Sequence, residues 1–394
     1  MAHLLLVTDH QFIHYNGKIY DKYVYDYNYF RDYLAVFDTI TVLARIAESK
    51  SEQNLLLTSG DNVNFVSLGC SKGIKWLLQS KRVILKKMPS LNNYDAICYR
   101  IPAIACYRVH RLQNGKPSLF EMVGDPLDSI QSREKSFISK LITLPLKTLI
   151  RKQIREIVRD SIVGSYVSEE LMKKYPLSKG RKANLISSIR LNAEDIKSKC
   201  DLNPSSVKFT IIHVGTFIEL KNQKTLIRLI KKLRDSGYDC QLTLVGSGPT
   251  DYKCFQMAVD LGVCQHVSFR GQVTGRKNII ALLDENSFFI IPSLSEGKPR
   301  SLIEAMARGL ICLGSARGGI KELLDPEFTF EPYDVDAIFK KIVDIRNHHD
   351  IAKIQARNIE VAEGYQSIIL KKKRIELLNE LKNASKKNLL AVPV

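Results

Sequence analysis

The segment SLSEGKPRSLIEAMARG, residues 293–309, concentrates residue types that could handle a charged, hydroxyl-rich ligand. Pro299 suits a first helical turn and Gly309 a helix C-cap, which predicts a helix from about Pro299 to Arg308. The free N–H groups and positive dipole end of such a helix form a ready phosphate site. Glu296 precedes the helix in a loop, where its carboxylate could accept from sugar-like hydroxyls, and Glu304 lies inside it, within reach of a ribose. Lys298 and Arg300 flank the N-terminus and could neutralise phosphate charge. The plainer alternative is an ordinary helix start with solvated charges, Glu304 pairing with Arg300 or Arg308 at i±4.

Positioning these residues requires a sheet. In the second half of the chain short β-branched runs alternate with helical patterns: VKFTIIHVG (207–215), QKTLIRLIKKLRDSG (223–237), CQLTLVG (240–246), HVSFRG (266–271), FFIIP (288–292) and LICLGS (310–315). Leu226, Leu229, Ile230 and Leu233 recur at helical spacing as one apolar stripe. Strands alternating with helices imply a parallel sheet covered on both faces, with ligands outside the strands' carboxyl ends. Gly215, Gly246 with Gly248, Gly271, the Ser293–Pro299 loop and Gly318-Gly319 all follow such strands. Any one glycine is better explained by a tight turn; five on one rim predict a binding face.

The first half has similar ingredients: HLLLVTD (3–9), DTITVLARI (38–46), NFVSL (64–68), YDAICYR (94–100) and LFEMVGD (119–125), with DSIVGSYVS (160–168) before a short helix. The expected organisation is an α/β domain over 1–202, a second over 203–357 opened by the turn cluster Asn203-Pro204-Ser205-Ser206, and a helical, Lys-rich segment over 358–394.

Composition narrows the function classes. With 394 residues, 45% apolar and 25% charged, the chain is a globular protein of two or three domains, and it contains no apolar run long enough to span a bilayer. The eight cysteines are scattered without metal-ligand spacing, which predicts free thiols in a reducing cytosol and no metal. The opening MAHLLLVTDHQ is too short for a signal-peptide core and reads as a buried strand, so the protein is expected to stay in the cytoplasm. The net charge is +18. Two windows, 70–87 and 133–159, each carry a net +6 with interspersed apolar residues such as Trp76, Leu78, Leu144 and Leu149. That pattern fits helices lying on the anionic inner face of a membrane, or equally solvated helices packed on the first sheet. No zinc-finger spacing or RNA-binding aromatic motif supports nucleic acid as a partner.

Read together, SEGKPRSLIEAMARG, the preceding FFIIP, the following SARGGIKELL, and the upstream IIHVGTFIELKNQKTLI, LTLVGSGP and LGVCQHVSFRGQV resemble the signature of family 4 glycosyltransferases of the GT-B fold. The resemblance is continuous over about 207–325; YDAICYRIPA, LFEMVGDP and VSEELMKKYP resemble, more softly, the acceptor domain of polysaccharide-assembling members. It implies two Rossmann-like parallel-sheet domains facing a central cleft, with the C-terminal helix returning to the first domain. It implies transfer of a sugar from a nucleotide diphosphate sugar, with retention and without a metal, the leaving phosphate helping to deprotonate the acceptor hydroxyl; with the basic first half, the expected acceptor is a membrane-held, lipid-linked glycan. Glu296 would contact the donor sugar, Lys221 the donor phosphate and Glu304 the ribose. The turn Gly297, Lys298, Pro299, Arg300, Ser301 and Leu302 would hold the diphosphate, largely through backbone amides. Gly215, Thr216, Gly246 and Gly248 would border the donor, and the strand end from Arg270 to Val273 the nucleobase.

Two departures stand out. Thr216 occupies the position where members often carry an arginine after the glycine, leaving Lys298 or Arg300 to compensate. No histidine ends the comparable first-domain strand, where Asp125 is the candidate instead; the loop after the first strand offers only Gly17, with His10 and His14 around it. The readings that remain are a glycosyltransferase, another GT-B enzyme such as a nucleotide-sugar epimerase or phosphorylase, and a nucleotide-sugar-binding protein without turnover.

Overall fold

The computed structural model describes residues 1–22, 24–52, 55–125, 127, 130, 137–197, 209–348 and 350–390. The chain divides into two compact units, Met1–Ile186 with Leu370–Val394, and Ser187–Ile369.

The first unit is built on β1 (His3–Tyr15), β2 (Lys18–Asp21), β3 (Thr39–Glu48), β4 (Leu56–Leu57), β5 (Val63–Ser67), β6 (Ala96–Ile101), β7 (Ser118–Met122), β8 (Val163–Tyr166) and β9 (Lys182–Leu185). Its parallel part runs β5-β3-β1-β6-β7-β8-β9, while β2 and β4 add antiparallel pairs beside the far end of β1. Alternation along β1 sends Leu5 and Val7 into one core and Leu4 and Leu6 into the other, as a doubly covered sheet requires. Helices Gly73–Lys87, Ile104–His110 and Phe137–Asp160 cover the first face through Trp76, Ile84, Val109, Ile154 and Ile157. The second face is closed by Leu377, Leu378 and Leu381 of the terminal helix Ser367–Leu390, so the C-terminal helix does return to the first unit.

β1 is longer than the expected 3–9. Asn16 and Gly17 both take positive φ (45° and 72°), the backbone a tight two-residue hairpin needs, so the strand continues to Tyr15 and folds back as β2. The region expected to be a thin loop after the first strand is therefore a β-hairpin.

The second unit has β10 (Phe209–Val214), β11 (Cys240–Val245), β12 (Val267–Phe269), β13 (Phe288–Ile291), β14 (Ile311–Ser315) and β15 (Thr329–Phe330), all parallel in the order β12-β11-β10-β13-β14-β15. The expected stripe of helix Gln223–Asp235 is buried in full. β15 went unanticipated because two residues give no periodicity.

The units part between Ile186 and Ser187, ahead of the expected boundary at Leu202, which with Asn203-Pro204-Ser205-Ser206 lies outside the described residues. The second boundary falls after Ile369, later than the expected 357. The reason is packing: helix Ile351–Glu363 buries Ile351 and Ile354, and Asn358 Nδ2 donates to Leu310 O at 2.8 Å. All described cysteines are free thiols, Cys200 lying outside the described residues. Among the described residues no helix is long and apolar enough to cross a membrane.

Candidate active site

Because the second sheet is wholly parallel, the carboxyl ends of β10 to β14 share one edge, and the predicted donor-binding residues follow those ends. Two loops are cross-tied there. Leu294 N donates to Leu220 O at 2.8 Å. Asn222, in the left-handed region (φ 53°), sends Nδ2 to Pro292 O and Pro332 O at 3.1 and 2.8 Å. These ties fix the 3-10 turn Glu219–Lys221 against the loop after β13. Lys221 Nζ then meets Glu296 Oε1 at 2.5 Å, the two side chains 25% and 9% exposed. The expected phosphate-binding lysine and sugar-binding carboxylate, far apart in sequence, form one ion pair.

Beneath this pair lies His213, which the sequence motifs did not single out. Its ring is fully buried, and Nδ1 donates to Ile290 O at 2.9 Å. Burial, reinforced by the Lys221 charge, pushes its pKa down to about 4, so the ring is neutral at physiological pH. Nε2 has no hydrogen-bond partner among the described residues, and a Cβ on Gly215 would come within 3.1 Å of it.

The glycines brace these loops. A Cβ on Gly246 (φ 135°) would sit 2.1 Å from Gly215 O, and one on Gly248 2.4 Å from Phe217 O. Gly318 and Gly319 pack likewise on Glu296 O and Gly297 O, each 2.0 Å from an added Cβ, and Gly319 N donates to Glu296 O at 3.0 Å. Their lack of side chains serves close backbone packing that holds Glu296 and Gly297 in place.

Helix Arg300–Ala307 follows, with Pro299 as N-cap, no side-chain cap and no acidic residue in its first turn. The first-turn amides of Arg300, Ser301 and Leu302 have no partner within the helix. Arg300 is exposed, whereas Leu302 is buried in the core. Lys298 departs from expectation: its side chain is 3% exposed, with Nζ donating to Glu322 Oε2 at 2.6 Å and lying 5.7 Å from the Tyr365 ring centroid. It is committed to packing and is not available to offset Thr216, because leaving Glu322 would bury an unpaired charge. Thr216 itself is exposed, its carbonyl accepting from Gln223 Nε2 at 3.0 Å. Of the cations predicted to meet the diphosphate, Arg300 and Lys221 remain.

Glu304 does not form the i+4 pair with Arg308, whose Nε and Nη2 both engage Asp284 at 2.8 Å. Its carboxylate lines a pocket of about 120 Å³ with Leu191, Asp195, Arg276 and Ile280. Burial raises its pKa against the opposing pull of Arg300 and Arg276. Arg270 follows β12 on the same edge, exposed at the surface, with Val273 half-buried beyond it.

In the first unit, Asp125 does not serve as a free carboxylate. It is ion-paired to Lys174 and accepts from Leu127 N at 2.9 Å and, at 3.5 Å, from the Tyr175 hydroxyl, so it locks the turn after β7 to helix Glu169–Lys174. His110 is likewise structural, facing Asp160 at 3.2 Å with burial lowering its pKa. The polar groups of this unit gather instead in an open pocket of about 960 Å³ that includes Asp9, His10, Asp21, Arg45 and Arg100. The Asn16-Gly17 dipeptide was the signal that could have found it, because the hairpin places His10 beside Asp21.

Residues 195–360 match the family model described as glycosyl transferases group 1. The matched stretch takes in the loops from Thr216 to Glu304 described above. The chain is 26% identical to Protein CapJ of Staphylococcus aureus over 374 residues, covering 93% of this chain and 90% of the relative. It is 30% identical over 175 residues to the Staphylococcus aureus capsular polysaccharide biosynthesis glycosyltransferase CapH, covering 40% and 48%. The crystal structure of Anabaena HepE in complex with UDP-glucose covers all of both chains with a TM-score of 0.62 at 14% identity. The fold is thereby GT-B, with two Rossmann-like parallel-sheet domains.

Proposed function

We propose that this glycosyltransferase moves a hexose from a nucleotide diphosphate sugar, with retention and without a metal, to a hydroxyl of a membrane-held, lipid-linked glycan in cell-surface polysaccharide assembly. The observation that carries the reading is the Lys221–Glu296 pair beside the uncapped start of helix Arg300–Ala307. On donor binding the diphosphate takes over Lys221, with Arg300 and the first-turn amides sharing its charge. Glu296, released from the lysine, accepts from sugar hydroxyls, and Glu304 accepts from the ribose. As the anomeric C–O bond to phosphate breaks, the leaving phosphate oxygen takes the acceptor proton and the acceptor oxygen bonds to the same face of the sugar. Glu296 positions and stabilises; it is not a glycosidase nucleophile. The nucleotide-sugar complex of HepE and the capsular role named for CapH support donor class and pathway class respectively.

A cytoplasmic protein resting on an anionic membrane is supported by the first unit's basic helices. Helix Gly73–Lys87 exposes Leu77, Leu78 and Leu85 between its lysines, and helix Phe137–Asp160 exposes Leu144, Leu146 and Leu149 near Arg151, Lys152 and Arg155. Trp76 is not part of such a face, being buried in the first core; Arg133 and Lys135 lie outside the described residues.

The test is a thermal-shift series with UDP-, GDP- and ADP-sugars, followed by product anomer assignment by NMR and sedimentation with anionic liposomes at low salt. Stabilisation by one nucleotide sugar and a retained anomeric centre are expected. Failure of every nucleotide sugar to stabilise the protein would overturn the donor reading, and indifference to liposomes the membrane reading.

A further inference from the structure

The charged groups that line the open pocket of the first unit differ in how far internal partners occupy them. Three carboxylates line it: Asp9 and Asp21 are each held by several internal donors, and the exposed Glu48 by one. Asp9 accepts from the amides of Ile104 and Ala105 at 2.5 and 3.2 Å and from Trp76 Nε1 at 3.0 Å. Asp21 accepts from His10 at 2.5 Å and from the amides of Val24 and Tyr25 at 2.7 and 2.9 Å. Glu48 is paired with His14 at 2.8 Å.

The cations are not balanced in the same way. Arg45 donates Nε to Asp9 O and Nη1 to Ser71 O, at 2.7 and 3.1 Å, both neutral carbonyls, and the Asp9 carboxylate feels its charge without accepting a hydrogen bond from it. The side-chain ammonium groups of Lys22 and Lys72 have neither a hydrogen bond nor an ion pair among the described residues. Lys72 is moreover the N-cap of helix Gly73–Lys87, which has no side-chain cap and no acid in its first turn, so the dipole adds positive potential where the lysine already stands. A site for a neutral sugar offers unoccupied carboxylates to hydroxyls. This one holds Asp9 and Asp21 with internal donors and leaves the ammonium groups of Lys22 and Lys72 open.

Resting on the transferase reading above, we infer that this pocket binds an anionic group on the acceptor glycan, a carboxylate or a phosphate, through Lys22, Arg45 and Lys72. The acceptor is then a charged saccharide, and its charge is a recognition element separate from the donor site.

The experiment is calorimetric titration of the full-length protein at low salt, with saturating UDP, using methyl glucuronide, N-acetylglucosamine 1-phosphate and neutral methyl glucoside. Saturable binding of at least one charged sugar is expected, weakened about tenfold in the K22Q/K72Q double variant and unchanged in K87Q. Binding of the uronide alone or of the phosphate alone supports the inference and identifies the anion. Equal binding of the neutral glucoside, no binding of either charged sugar, or full affinity in K22Q/K72Q overturns it. UDP binding is measured separately in the same proteins. Its loss counts against the donor reading, whereas its retention with no charged-sugar binding counts against this inference alone.

Discussion

Lys221 Nζ and Glu296 Oε1 stand 2.5 Å apart at the edge of the second sheet, each satisfying the other where a donor would have to be accommodated. The pair keeps a partly buried carboxylate and ammonium compensated until diphosphate and sugar hydroxyls replace them. Glu296→Gln keeps shape and removes the charge, so transfer is expected to fall by about 100-fold or more with little change in thermal stability. Lys221→Gln should chiefly weaken donor binding. Because each variant frees the other's partner, the double variant should cost less than the two single effects combined, which steady-state kinetics on all four proteins would show. Full additivity would mean the two groups act separately.

The loop carrying Glu296 is held from behind by backbone packing. A Cβ at position 319 would lie 2.0 Å from Gly297 O, a distance that only movement of the loop can relieve. Gly319→Ala is therefore expected to reduce kcat/KM by about 100-fold through misplacement of Glu296 while leaving the chain folded. Gly364→Ala is the control: its backbone is helical and its nearest new contact 3.4 Å, so stability should change by less than about 0.5 kcal/mol.

These two relationships mark what the sequence could and could not disclose. The parallel second sheet was legible because its strands and amphipathic helices alternate with clear period, and the cluster Glu296 to Glu304 because it lies within one loop and one helix. The loop-to-loop packing of Gly318 and Gly319 was not, since a positive φ or a close approach leaves only a glycine, indistinguishable from a turn. Lys298 looked like a phosphate ligand because its partner Glu322 lies beyond the helix, and Asp125 like a free carboxylate because Lys174 comes from a distant one. Charge partners set by tertiary contact have no period to read. The first-sheet pocket is hidden for a local reason: Gly17 alone reads as a loop glycine, and only the Asn16-Gly17 pair signals the hairpin.

His213 gives the protein an acid sensitivity of predictable sign. Its folded pKa of about 4 lies below the ordinary 6.5, so between those values the unfolded chain binds a proton that the folded chain refuses. Stability should therefore rise with pH across that window and become independent of this group above pH 6.5. In His213→Gln the slope contributed by this proton should vanish. Urea denaturation of both proteins between pH 4 and 7.5 would measure it; identical pH profiles would exclude the histidine as its source.

Arg374 sits in the run KKKR, which in sequence looks like a solvated stretch of the terminal helix, yet it is the residue that anchors that helix in the first unit. Its guanidinium reaches Asp32 at 2.5 Å and Glu121 at 3.8 Å, and lies 5.9 Å from the Tyr33 ring centroid. Burial alone would raise the pKa of Glu121, but Arg100 and Arg374 hold it below its ordinary value. Removing one of the two arginines leaves carboxylates in a core that also buries Tyr29 and Tyr33. Arg374→Met is accordingly expected to cost about 3–5 kcal/mol, far more than loss of an exposed lysine such as Lys371. Neutralising the stranded partner in R374M/D32N should recover part of that loss, as measured by denaturant midpoints. If R374M and K371M are equally stable, the terminal helix is held by Leu377, Leu378 and Leu381 alone and the charge cluster contributes nothing to its docking.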